Sequence, residues 1–354
     1  MPTLFDSITL GALQLPNRII MAPLTRSRAT ADTRVPVAMM VEYYAQRAAA
    51  GLIISEATVV DRMGVGYEAT PGIWSEEQVE GWKAVTRGVH DAGGRIVLQL
   101  WHVGRISDPS LLDGQPPVAP SAIAAAGHVS LLRPERPFPV PRALETEEIP
   151  GIIDAFRTGA VNAKTAGFDG VEVHGANGYL LDQFLQDGTN KRTDAYGGSI
   201  ENRARLLLEV TDAAIEVWGA DRVGVHLAPR CDSHDMGDSD RVATFTYVAH
   251  ELGKRGIAFI CAREAEQEDS IGPLIRKAFG GTYIANENFT RESAEQALND
   301  GVVDAVAFGK AFIANPDLVA RFAAKAPLNT WDDQTFFGGG AKGYIDYPTL
   351  PHTV

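Results

Sequence analysis

Short apolar runs bounded by Gly, Pro, Asn or Asp recur along the chain, and most stretches between them carry helical periodicity. The runs are Arg18–Met21, Leu52–Ala57, Ile96–Trp101, Gly170–His174, Val223–Leu227, Ala258–Cys261, Tyr283–Ala285 and Ala305–Phe308. Each is apolar almost throughout rather than alternating, which is the pattern of parallel strands buried on both faces. Among the helical stretches, Val37–Ala50 ends at Gly51, and Ser75 before Glu76 and Glu77 supplies an N-cap and an acidic first turn. Thr146–Ala166 runs to Gly167, with Pro150 either in its first turn or delaying its start. Arg203–Trp218, Val242–Arg255 and Arg291–Asn299 follow, with a weaker helix starting near Ser270.

Alternation of this kind predicts one closed α/β barrel, a (βα)8 TIM barrel over residues 1–354, rather than an open doubly wound sheet. Catalytic residues are then expected just after the strands. Asp108–Arg142, rich in Pro, Gly, Ser and Ala and without helical period, reads as an inserted lid subdomain over the barrel mouth.

Composition narrows the function by exclusion. A formal net charge of −13 argues against nucleic acid and anionic membrane surfaces as partners. Two cysteines, Cys231 and Cys261, are too few for an iron–sulfur cluster or a four-thiolate zinc site. They could pair in one disulfide, though two free thiols is the plainer reading. His90, His128, His234, His250 and His352 show no metal-ligand spacing, so no metal is expected. The N-terminus lacks a basic region followed by an apolar core, and no window of 18 apolar residues occurs, so the expectation is cytoplasmic.

The segment VEVHGANGYLLDQF closes the fourth apolar run and presents His174, Asn177 and Tyr179 within one turn. His174 and Asn177 can donate hydrogen bonds to an oxygen that becomes negative, and the Tyr179 phenol can supply a proton. Such a trio suits addition of a hydride and a proton across a double bond conjugated to a carbonyl or nitro group. No side chain donates hydride, so a redox cofactor is implied. Pro23, Leu24 and Thr25 after the first run, Ala57 at the end of the second and Gln99 in the third could line a flat ring. Taken singly, each also reads as ordinary punctuation at a strand end. Barrels often bind phosphate after strands seven and eight, where Glu287, Asn288, Gly309 and Lys310 stand. Gly309 could equally just end a strand, with Lys310 solvated.

The stretches MAPLTRSR, YYAQRAAAGLIISEAT, LQLWHVGRIS, HGANGYLLDQF, TNKRTDAYGGSIENRARLLLEV and DAVAFGKAFIANPDL resemble the old yellow enzyme family over nearly the whole chain. The match is closest to its bacterial xenobiotic reductases. The resemblance implies noncovalent FMN, reduced by NADPH or NADH in a ping-pong cycle. It implies that Pro23, Leu24, Thr25, Ala57 and Gln99 line the flavin, and that Gly309, Lys310 and backbone amides near Glu287 and Asn288 hold its phosphate. His174 and Asn177 would bind the substrate oxygen, Tyr179 would protonate the neighbouring carbon, and Tyr67 and Trp101 would shape the pocket.

Three positions depart from the family pattern. His226 stands where Arg is common beside the flavin, replacing a permanent charge by an imidazole. Lys310 stands where Arg is common at the phosphate. Phe337 resembles a pocket Tyr without its hydroxyl. Elsewhere, Asp194–Gly198 reads as a structural turn and Gly338–Gly340 as a flexible one. Glu201, Arg203 and Arg205 read as surface or interdomain ion pairs, and His102 as a structural hydrogen-bond partner.

The expected activity is an FMN-dependent ene-reductase acting, as monomer or homodimer, on small electrophiles. These are enones, maleimides, nitroalkenes, nitroaromatics or nitrate esters. Two readings stand beside it: a flavin-binding sensor or storage barrel, and a flavin-free phosphate-binding isomerase or aldolase. A dienoyl-CoA-reductase-like enzyme is excluded by the two cysteines and the chain length of 354.

Overall fold

A computed structural model describes residues 2–230, 233–265 and 267–351. Eight parallel strands close on themselves. They are β1 (Ile19–Met21), β2 (Leu52–Ile54), β3 (Ile96–Trp101), β4 (Gly170–Gly175), β5 (Val223–Leu227), β6 (Phe259–Arg263), β7 (Thr282–Asn286) and β8 (Ala305–Phe308). Each pairs with the next, and β8 pairs with β1 to complete the barrel. Each of the eight apolar runs holds one of these strands, with ends shifted by up to three residues.

Burial on both faces explains the apolar runs. Ile20, Leu52, Ile54, Val97, Cys261, Ile284, Ala305 and Ala307 pack together in the interior. Their immediate neighbours Ile19, Met21, Ile53, Ile96, Leu98, Ile260, Tyr283, Ala285, Val306 and Phe308 pack outward under the helices. At Gly224 an added Cβ would lie 2.1 Å from the Phe259 ring, so a missing side chain in β5 makes room for a large one in β6.

The surrounding helices include α1 (Ala38–Ala45), α2 (Glu76–Asp91), α3 (Ile149–Thr165), α4 (Ile200–Trp218), α5 (Arg241–Arg255), α6 (Gly272–Phe279) and α7 (Arg291–Asn299). Ser75 caps α2 in a reciprocal box with Gln78. Pro150 sits in the first turn of α3, where its missing N–H has no helical partner to lose. Ser199 caps α4, which therefore starts three residues before the expected Arg203. α1 is shorter than expected and gives way to turns before Gly51.

A hairpin absent from the sequence-based reading precedes the barrel. Ile8–Leu10 pairs antiparallel with Leu13–Leu15, and Leu10, Leu13 and Leu15 join the interior apolar cluster. Gly11, at φ 55°, allows the two-residue turn and comes against the backbone carbonyl of Asp221.

Within 108–142, Val118–Ala119 pairs with Arg142–Ala143. Leu112, Ala125, Val129, Leu132 and Phe138 bury themselves against Ala57, Val59, Trp101 and Val103. Arg203 departs from the surface position expected of it: it is buried and bonds Asp238 at 2.7 Å and the Leu185 carbonyl at 2.5 Å. Glu201 is exposed, as expected. Cys261 is a buried free thiol, while Cys231 and His352 lie outside the described residues. Among the described residues no helix is long and apolar enough to cross a membrane.

Candidate active site

Toward the C-terminal ends of the strands the barrel interior changes from apolar to polar. Register decides which side chains meet. Gln99 of β3 pairs with Glu172 of β4, His174 of β4 with His226 of β5, His226 with Cys261 of β6, and Arg263 of β6 with Asn286 of β7. Paired residues in a parallel sheet share a face, so these groups form one polar layer. Above it opens a cavity of about 890 Å³.

The cavity brings together nearly all the residues expected from the sequence. Pro23, Leu24, Thr25, Ala57, Tyr67, Gln99, His174, Asn177, Tyr179, His226, Glu287, Asn288, Gly309, Lys310 and Phe337 line it. Trp101 does not. It is fully buried behind the wall, stacked at 5.8 Å on Tyr67 and edge-on at 5.0 Å to Tyr179. It therefore shapes the pocket by holding those two rings.

The turn after β4 is built to aim its side chains. Asn177 and Gly178 adopt left-handed backbone conformations at φ 57° and 75°. Asp182 accepts the Gly178 N–H at 2.9 Å, and Gln183 donates to the Gly178 carbonyl at 2.7 Å. Arg263, missed in the sequence, donates from Nη1 to the Asn177 side-chain oxygen at 3.0 Å. A guanidinium only donates, so the Asn177 amide N–H groups are left for other partners. Arg263 also pairs with Glu287 at 2.5 Å.

Buried polar atoms mark where a ligand would be received. His174 Nδ1 and His226 Nε2 have no hydrogen-bond partner among the described residues. Burial, reinforced by His226, Arg263 and His234, pushes the His174 imidazole well below its usual range, so it is neutral at pH 7. Glu172, also unrecognised in the sequence, takes the Gln99 amide N–H at 2.7 Å and lies 3.3 Å from His226 Nδ1. The amide oxygen of Gln99 is thereby directed away from Glu172. Glu172, His226 and Cys261 bring possible ligand atoms within 4.8 Å of one another. Burial, with Glu172 beside it, pushes the Cys261 thiol well up, and the carboxylate has the Gln99 amide and the His226 ring as partners.

His234 was among the scattered histidines of the sequence, yet it lines this cavity. Its Nδ1 lies 2.7 Å from the Asn177 backbone carbonyl and its Nε2 3.5 Å from the Tyr67 hydroxyl. Tyr67 and Tyr179 hydroxyls are 3.1 Å apart. His102 stays structural as expected, accepting the Gly104 N–H at 3.1 Å.

At the opposite end, Glu287 and Asn288 hold positive φ, and an added Cβ on Gly309 would meet Leu24 at 3.3 Å. Lys310 stands there with Nζ over the Trp331 ring at 5.8 Å. Arg26 draws the C-terminal segment to the mouth, bonding the Phe336 and Gly343 carbonyls, each at 2.9 Å. A flat apolar wall of Pro23, Leu24 and Ala57, a polar edge at Gln99 and His226, and a basic end fit a planar polar ring carrying a phosphate tail.

Comparison with known proteins agrees with this geometry. Residues 3–329 match the model of the NADH:flavin oxidoreductase / NADH oxidase family. A probable flavin mononucleotide-dependent alkene reductase of Leishmania infantum is 45% identical, covering 97% of this chain and 96% of the relative. 12-Oxophytodienoate reductase 2 of Arabidopsis thaliana is 42% identical, over 98% of this chain and 95% of its own. The structure of morphinone reductase in complex with tetrahydroNAD superposes with a TM-score of 0.95 at 51% identity, covering 99% of each chain. That of the old yellow enzyme homologue from Zymomonas mobilis gives 0.96 at 47%, over 99% of this chain and 100% of the other.

Proposed function

Because this chain belongs to the NADH:flavin oxidoreductase / NADH oxidase family, the old yellow enzymes, we propose that its polar layer and Tyr179 bind and protonate activated alkenes during their reduction. It is an FMN-dependent oxidoreductase, which sets aside the flavin-free isomerase and the storage barrel. Bound FMN supplies the hydride chemistry, with NADPH or NADH as the source. Substrates are enones, maleimides and nitroalkenes, with nitroaromatics and nitrate esters as further acceptors. The enzyme acts in the cytoplasm as a monomer or homodimer.

Pro23, Leu24, Thr25 and Ala57 hold the ring, and Gln99 and His226 meet its polar edge. Gly309, Lys310 and the backbone at Glu287 and Asn288 hold the phosphate. His174 and Asn177 bind the substrate oxygen and stabilise the negative charge that develops on it. A neutral His174 does so by donating one N–H, and Asn177 by the amide N–H groups that Arg263 leaves available. Tyr67, Trp101 and Phe337 set the width of the pocket, and residues 108–142 cover it.

The Tyr179 hydroxyl delivers the proton to the carbon next to the activating group. The observation that carries this reading is the phenol's position beside His174, with ring centroids 5.2 Å apart, in the cavity that receives the electrophile. Tyr179→Phe keeps the ring and deletes the donor. Alkene turnover should fall by about 10²–10⁴. Reduction by nicotinamide and cleavage of nitrate esters, which places no proton on carbon, should change little. Stopped-flow measurement of the two half-reactions separates them, and equal slowing of alkene and nitrate ester would overturn the donor role.

A further inference from the structure

We propose that His234 and Tyr67 form a proton relay that resupplies Tyr179 between turnovers. The proposal rests on the reading of Tyr179 as proton donor. Three groups stand in line: the Tyr179 hydroxyl, the Tyr67 hydroxyl at 3.1 Å and His234 Nε2 at a further 3.5 Å.

The direction of the line follows from the bond at its far end. A backbone carbonyl only accepts, so His234 Nδ1, 2.7 Å from the Asn177 carbonyl, carries the hydrogen. In the neutral ring Nε2 is then a lone pair facing Tyr67. The imidazole is half-buried and lines the cavity, as the two phenols do, and Asp235 beside it in the chain is exposed.

This position is held deliberately. His234 and Asp235 both adopt left-handed backbone conformations, at φ 62° and 57°. Conformations of this kind persist only where the surroundings impose them. Arg105, buried, donates to the carbonyls of His234 at 2.8 Å and Asp235 at 3.2 Å. An added Cβ on Gly178 would lie 2.9 Å from the His234 Cβ, so only glycine admits the imidazole there. Phe138 packs edge-on to the ring at 6.3 Å.

Among the described residues, the polar groups facing His234 are Tyr67, Tyr179, Arg105, Arg263 and the Asn177 carbonyl. Burial, aided by the two arginines, lowers the imidazole below its ordinary range, so it carries a second proton only in passing. Burial also raises the Tyr67 phenol to about 12, so Tyr67 does not rest as a phenolate.

The protons balance. Tyr179 loses its O–H bond as the substrate C–H bond forms. The Tyr67 O–H breaks as that of Tyr179 re-forms, and an N–H at His234 Nε2, gained from solvent, breaks as that of Tyr67 re-forms. One solvent proton enters per turnover, the same proton that reduction of an alkene by a nicotinamide consumes.

His234→Asn keeps a donor for the Asn177 carbonyl but cannot carry the proton. In the holoenzyme, the first oxidative half-reaction with an activated alkene should run at the wild-type rate, since Tyr179 starts protonated. Steady-state alkene turnover should drop by about tenfold or more and recover when imidazole is added. Turnover with ferricyanide, which needs no proton on carbon, should be unaffected. Unchanged steady-state turnover, or a first turnover slowed as much as the steady state, overturns the relay. Should the variant fail to bind FMN, the proton inventory of wild-type turnover in mixed H2O and D2O decides: a curved plot supports several protons in flight, a linear one overturns the proposal. Full alkene turnover in Tyr179→Phe overturns the donor reading and the relay together. A slow Tyr179→Phe beside an unimpaired His234→Asn overturns the relay alone.

Discussion

Arg263 places Nη1 3.0 Å from the side-chain oxygen of Asn177, joining the end of β6 to the turn after β4. The contact sets the amide's orientation, because the guanidinium has no acceptor to offer. Arg263→Leu should free the Asn177 amide to rotate and cost the substrate oxygen an aligned donor. A bond of this kind contributes roughly 1–2 kcal/mol, so phenol affinity should fall about tenfold. Spectroscopic titration of the holoenzyme with a substituted phenol measures it. An unaltered Kd would show that Asn177 keeps its orientation without Arg263.

His226 offers the cavity an Nε2 without a partner among the described residues, while its Nδ1 faces Glu172. An arginine there would carry a permanent positive charge. His226→Arg should raise the reduction potential of bound FMN, since reduction adds negative charge beside it. A differential stabilisation of about 1.4 kcal/mol corresponds to about 30 mV for a two-electron couple. Equal potentials for the two proteins would mean that position 226 does not tune the flavin.

Lys310 contributes a point charge at the basic end of the cavity, steadied over Trp331. Lys310→Gln should weaken FMN binding by about tenfold, as for one charge-assisted hydrogen bond. The difference from wild type should shrink in high salt. Fluorescence titration of apoprotein with FMN tests both statements, and equal affinity for the two proteins would place the phosphate elsewhere.

Two buried imidazoles make stability depend on pH. Burial pulls His102 down to about 4 and His174 well below its usual range. Between that low value and the unfolded value near 6.5, the unfolded chain binds a proton that the folded protein does not. The stabilisation is therefore complete above about pH 6.5 and is lost as pH falls, by up to about 1.4 kcal/mol per pH unit for each group. Chemical denaturation at pH 7 and pH 5 should show the loss, and His102→Gln should have the shallower dependence. Parallel curves would mean that His102 is protonated in the folded protein.

The strands of the barrel could be read without coordinates because burial on both faces leaves β1 to β8 largely apolar outside the polar layer near their C-terminal ends. The start of α2 was equally local, since Ser75 caps through a side chain three residues from the amide it meets, whereas the same kind of cap at Ser199 was passed over and α4 was expected to start only at Arg203. The hairpin at Ile8–Leu15 was overlooked although its signal is local: apolar residues alternate about Gly11 and Ala12, in a segment too short to stand out beside the barrel runs. His174, Asn177 and Tyr179 were legible because one turn carries all three.

Glu172, Arg263 and His234 were not legible, and the reason is distance along the chain. Glu172 reaches Gln99 across 73 residues, Arg263 reaches Asn177 across 86, and His234 reaches Tyr67 across 167. A carboxylate inside an apolar run, an arginine at a strand end and a histidine in a loop are each ambiguous until register and closure choose their neighbours. The sequence by itself determined the barrel, the reacting trio and the kind of cofactor, because burial periodicity and short motifs act within one segment. Only the tertiary structure decided how those groups are oriented and which side chains stand behind them, because hydrogen bonds depend on ångström distances that arise when the eight strands close.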